Sequence, residues 1–118
     1  MSQGSQPANS SPVTLINVFE VPAEHVEVFI AQWRERAALM SAKPGFLDTR
    51  LHRALSSQSR FQLVNVAHWE SREALQAATA DTEFQQRIRA VTADPKVPIS
   101  AHPALYQVAV EFSGPGAR

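Results

Sequence analysis

Cysteine is absent from the 118-residue chain. That excludes a disulfide, a thiolate nucleophile and a cysteine-held metal site, and it fits a reducing compartment. Net charge is missing as well: 11 basic residues balance 11 acidic ones, for a formal +0. Nothing in that balance points to nucleic acid, an anionic membrane or an acidic ligand as a partner. No apolar run approaches the roughly 20 residues of a membrane span. The opening MSQGSQPANSSP has neither the basic nor the apolar region of a secretory signal, so the expected location is the cytoplasm. There is no glycine-rich phosphate loop, no Ser/His/Asp order and no paired-carboxylate pattern. His25, His52, His68 and His102 form no HxH or HxxxH pair, so these residues point to no metal and no cofactor.

What remains is one small domain, 44% hydrophobic. A chain of this length buries about two-thirds of its unfolded surface, so self-association would help it. Residues 1–12 are polar and read as a disordered arm, 13–112 as the folded domain, and 113–118 as a flexible tail. VTLINVFEV at 13–21 is β-branched and reads as a strand. From about 23 to 42, Val26, Phe29, Ile30, Trp33, Ala37 and Met40 recur at helical spacing, with Glu27, Arg34 and Glu35 outside. Lys43-Pro44-Gly45 stops that helix. FLDTRLHRA at 46–54 and RFQLVNVAHW at 60–69 read as strands around an SSQS turn. Ser71 caps a short helix over 71–79 and Asp81 another over about 82–92. Residues 93–103 contain Pro95, Pro98 and Pro103 and read as a loop, before a last strand at 104–112. The order predicts a ferredoxin-like α+β fold, a split βαβ with a four-stranded antiparallel sheet and its helices on one face. The other face then needs a cover. A second copy supplies it, giving a homodimeric α+β barrel.

One stretch stands out. In VNVAHWES, residues 64–71, strand alternation places Asn65 and Trp69 on one face together with Phe61, Leu63 and Ala67. An unpaired amide there would cost roughly 1–3 kcal/mol on burial. Two readings are open: Asn65 is hydrogen-bonded core, or it lines a cavity as a polar group beside a flat apolar wall. Asn17, mid-strand with Leu15 and Phe19, poses the same question, because asparagine is unfavourable in a strand. Trp33 and Phe29 lie on the helix face that borders such a cleft, and Tyr106, Arg87 and Arg89 are polar groups that could reach it. His68 falls on the opposite face, with Val64 and Val66.

The strand–helix opening, Lys-Pro-Gly-Phe at 43–46 and VNVAHWESREA at 64–74 resemble the antibiotic biosynthesis monooxygenase family. The resemblance covers about residues 13–112. Val-Asn-x-Ala-x-Trp-Glu-Ser is similar to the actinorhodin-type branch, whose members oxidise a reduced aromatic polyketide to a quinone with O₂ and no cofactor. The resemblance implies catalytic roles for Asn65 and Trp69, with Asn17, Trp33 and Tyr106 as substrate contacts and a small aromatic compound as the ligand. The branch has a helical tyrosine six residues after the tryptophan; Leu75 stands there. A haem-degrading branch shares the first-strand asparagine, matched by Asn17. Its tryptophan and iron-binding histidine would fall at Ala78 and Ile88, which disfavours haem. A non-catalytic small-molecule-binding or stress protein on the same scaffold is the rival reading.

Overall fold

The computed structural model describes residues 11–92 and 98–116. The expected arm therefore lies mostly outside the described residues, as do 93–97 and 117–118. Strand β1 (Val13–Glu20) leads through a 3₁₀ turn at Ala23–His25 into helix α1 (Val26–Ser41). Strands β2 (Phe46–Arg53) and β3 (Leu63–Trp69) follow, then helices α2 (Arg72–Thr79) and α3 (Thr82–Thr92), and finally β4 (Ser100–Tyr106). The sheet order is β2-β3-β1-β4, and all three pairings are antiparallel. This is the ferredoxin-like plan, with the second helical segment split in two.

Local chemistry explains the joints. Gly45 holds φ +86°, and a Cβ there would meet the Ala74 Cβ, so only glycine suits this turn. Its carbonyl accepts from the Glu70 N–H at 2.8 Å, tying the start of β2 to the end of β3. Ser71 caps α2 by accepting from the Ala74 N–H at 3.0 Å. Asp81 does the same for α3 through the Phe84 N–H at 3.0 Å, and its other oxygen takes Lys43 at 2.8 Å.

Two strand boundaries differ from expectation. β3 starts at Leu63 rather than 60: buried Gln62 turns inward and its amide donates to the carbonyls of Ser56 and Ser59 at 3.0 and 2.7 Å. Phe61 therefore stands outside the alternation and packs edge-on against His102. The last strand runs 100–106, not 104–112, and includes Pro103. Proline is tolerated because β4 is an edge strand.

All three helices cover the sheet face that carries Leu15, Phe19, Leu63, Ala67 and Trp69. The core there falls into two clusters. One gathers Val13, Met40, Ala67, Trp69, Leu75 and Ala78. The other gathers Phe19, Val21, Val26, Phe29 and Leu63. The register shows what separates them. Val13 and Leu15 face Trp69 and Ala67 at one end, Phe19 faces Leu63 at the other, and Asn17 faces Asn65 in the row between.

Candidate functional site

Between the two core clusters lies a cavity of about 160 Å³. Its floor is the sheet row of Leu15, Asn17, Asn65, Ala67 and Trp69; its roof is α1, through Phe29, Trp33 and Met40. Leu75, Phe84 and Ile88 close one side. The walls are mostly apolar and aromatic, with a few polar groups set among them, the usual composition of a small-molecule site.

The polar groups are the two asparagines, and their carbonyl ends are already engaged. Asn17 Oδ1 accepts from the backbone N–H of His102 at 3.1 Å. A backbone N–H can only donate, so this bond fixes which end of the Asn17 amide is oxygen. It also satisfies a β4 donor beside Pro103, which has none to give. Asn65 Oδ1 accepts from the Thr49 hydroxyl at 2.5 Å. In that arrangement neither side-chain NH₂ has a hydrogen-bond partner among the described residues. Two amide donors thus sit opposite one another on neighbouring strands, on a cavity floor.

Four of the five residues expected at the site line this cavity: Asn65, Trp69, Asn17 and Trp33. Tyr106 does not. It pairs with Thr14, one register step from the row of Leu15 and Leu105, and so falls on the sheet's other face, half exposed. Trp69 is wall and core at once, 2% exposed and edge-on to Phe46 with ring centroids 5.3 Å apart. Asn65 is thus both hydrogen-bonded and cavity-lining, which joins the two readings that the sequence leaves open.

No histidine lines the cavity. His68 is on the opposite face, as expected, where it pairs with Asp48 at 2.6 Å. His102 reaches Glu20 at 3.4 Å. Arg87 bridges Glu35 and Glu83 at 2.7 and 3.0 Å, tying α3 to α1 rather than facing the cavity. Among the described residues no group of three His, Cys, Asp or Glu side chains could hold a metal.

Thr49 and Arg36, both lining the cavity, escaped the sequence reading. Thr49 orients Asn65 across the sheet; a register shift between Phe46 and Asp48 decides which β2 side chains face inward, and alternation alone does not reveal it. Arg36 is 6% exposed and has Nη1 buried without a hydrogen-bond partner. It does have a sequence signal: positions 29, 33, 36 and 40 follow three- and four-residue spacing, so an arginine interrupts the apolar stripe of α1.

A sequence profile described as antibiotic biosynthesis monooxygenase matches residues 12–90. A structure from Shewanella loihica PV-4 with a provisional monooxygenase designation is 35% identical. It aligns over 88% of this chain and all of its own, with a TM-score of 0.70. SnoaB, a cofactor-independent oxygenase from Streptomyces nogalater, is 25% identical with a TM-score of 0.71, over 88% of this chain and 99% of its own. A mycobilin-producing haem oxygenase of Mycobacterium tuberculosis is 39% identical over 66 residues. That match spans 56% of this chain and 61% of the relative's length.

The residues present do not fit haem. No histidine, cysteine or tyrosine among the cavity's lining residues offers an axial ligand. Ala78 is buried core and Ile88 is an aliphatic wall.

Proposed function

The chain belongs to the antibiotic biosynthesis monooxygenase family, and we propose that it oxidises a small aromatic hydroxy compound with O₂, the substrate itself supplying the electrons. The observation that carries this reading is the Asn17–Asn65 pair, with both oxygens held and both residues lining the apolar, aromatic-walled cavity.

The chemistry follows from those groups. An anthrone-type substrate loses a proton to become an enolate, and two amide donors stabilise the oxyanion where water is largely excluded. The enolate carbon gives its electrons to O₂ and forms a peroxide. Loss of water then leaves a quinone carbonyl: the CH₂ carbon is oxidised, one oxygen atom enters the product and the other leaves as water. Asn65 and Asn17 hold the oxyanion, and Trp69 and Trp33 wall the ring. The base that takes the first proton is not among the lining residues, since these include no histidine or carboxylate. A substrate acidic enough to ionise in water meets that condition.

Self-association is part of the proposal. Ile16, Val18, Val64 and Val66 form a half-buried apolar patch on the helix-free sheet face. Beyond β4, Val108, Val110 and Phe112 are 74%, 74% and 91% exposed at alternating positions. A second copy laid on that face would cover such residues.

A non-catalytic binding protein is the second reading, favoured by Leu75, which lines the cavity without a hydroxyl. An oxygen electrode separates the two. Oxygenation predicts O₂ uptake with anthrone well above buffer, and one ¹⁸O atom from ¹⁸O₂ in the quinone. Tight anthrone binding with buffer-level uptake would leave the binding protein.

A further inference from the structure

Arg36 is a full positive charge in the wrong surroundings. It sits on the apolar stripe of α1, 6% exposed, with the Phe29 ring 5.4 Å from its guanidinium carbon. No hydrogen bond or ion pair reaches it among the described residues. Its sequence neighbour Glu35 is committed elsewhere, to Arg87. Burial pushes its pKa down, and no acid opposes that shift. An arginine nevertheless stays charged near neutral pH. A ring face offsets part of the cost of burying it, but one buried N–H group remains unsatisfied. A buried lone charge is costly unless a counter-charge arrives.

The guanidinium lines the same cavity as Asn17 and Asn65. We propose that Arg36 is an anion-recognition group, and that the cavity's ligand is an aromatic compound bearing a carboxylate. The planar fork pairs with the carboxylate through two parallel hydrogen bonds. The ring fills the space between Trp33 and Trp69, and the asparagine amides take its hydroxyl or enolic oxygen. A purely neutral polyketide ring would leave Arg36 as unsatisfied as it is in the free chain. The inference rests on the cavity being the substrate site, but not on turnover.

The test uses the full chain, with 1-hydroxy-2-naphthoate and its neutral isostere 1-hydroxy-2-naphthamide as probes. Both tryptophans of the chain line the cavity, so quenching of their fluorescence reports binding, with calorimetry as a check. Wild type should bind the carboxylate about tenfold or more tightly than the amide, the ratio expected for one charge-assisted contact. Arg36→Met should erase that preference, keep the amide affinity and melt no lower than wild type, because it removes an unpaired buried charge. Arg36→Lys should keep part of the preference, having the charge but not the fork. Equal binding of both probes by wild type, failure to bind either, or a preference that survives in Arg36→Met overturns the proposal. A carboxylate preference lost in Arg36→Met without O₂ uptake on anthrone sinks the oxygenase reading and leaves this one standing. Uptake on anthrone with no carboxylate preference does the reverse.

Discussion

His68 and Trp69 are neighbours on β3, yet their side chains meet different surroundings. Trp69 points to the helices, is 2% exposed and packs with Phe46, Met40 and Leu75. His68 points to the helix-free face and pairs with Asp48 in a largely solvated setting. The same contrast runs the length of the sheet. On the covered side the chain supplies its own partners everywhere except in the middle row, where two asparagines face a cavity. On the other side it supplies half-buried valines and isoleucine with no helix of the described residues over them. The covered face teaches where packing is dense and where it is interrupted by polar groups; the bare face is apolar without the same packing.

Substituting the two neighbours one at a time tests the contrast between the faces most directly. Trp69→Ala removes a large buried side chain and should cost about 3–5 kcal/mol in urea unfolding. His68→Ala, one residue away, should change stability by no more than about 0.5 kcal/mol, because an exposed pair contributes little. Equal effects at the two positions would mean that the faces are not as different as the packing indicates.

The bare face has its own test. Val66→Lys places a charge in the middle of the apolar patch. If a copy covers that patch, burying an unpaired lysine should weaken association by about 3 kcal/mol or more. Light scattering should then report half the wild-type mass, with circular dichroism unchanged. A wild-type chain that is already monomeric at micromolar concentration removes the premise.

Within the covered face the two asparagines can be told apart. Asn65→Leu fills similar space, and Thr49 has the Val66 carbonyl at 3.4 Å as a second acceptor. Stability should therefore move by less than about 1 kcal/mol. Turnover should fall by about a hundredfold if the amide serves as an oxyanion donor. Asn17→Leu also orphans the His102 N–H, so it should lose about 1 kcal/mol of stability in addition to its effect on turnover. Thermal melting beside an oxygen-uptake assay reads both quantities. Two asparagine variants with unchanged turnover would leave the pair a structural device.

Much of this was legible in residues alone. Alternation and helical spacing give the element order, and caps at Ser71 and Asp81 place the two short helices to within a residue. The face shared by Asn65 and Trp69 follows from the period of a strand. Three features did not follow, each for a physical reason. Pro103 looks like a loop residue, but an edge strand with a side-chain acceptor nearby accommodates it; the β1–β4 register that puts Tyr106 on the face away from the cavity is not written in composition. Thr49 depends on a register shift that composition does not encode. Arg36 was readable as a break in an apolar stripe, yet long arginines commonly snorkel to solvent from such positions. Only packing shows that this one does not.

The smallest expected effect lies at the rim of the covered face, where Lys43 and Asp81 join the α1–β2 turn to the start of α3. Lys43, which donates to the carboxylate, and then the Phe84 N–H hold Asp81 below the usual carboxylate range, with a slight opposing push from burial. A depressed acid adds stability that is fully present above its unfolded pKa and is lost as pH falls through the folded value. The chain should therefore melt a few degrees lower at strongly acid pH, and part of that loss should belong to Asp81. Asp81→Asn keeps an N-cap acceptor but cannot ionise. Its melting temperature near neutral pH should drop only slightly, since the ion pair is partly solvated. Its acid-induced loss should be smaller than that of wild type, and the two melting curves should converge as pH falls. Parallel curves at all pH values would show that Asp81 supports α3 through capping geometry alone, with its charge contributing nothing measurable.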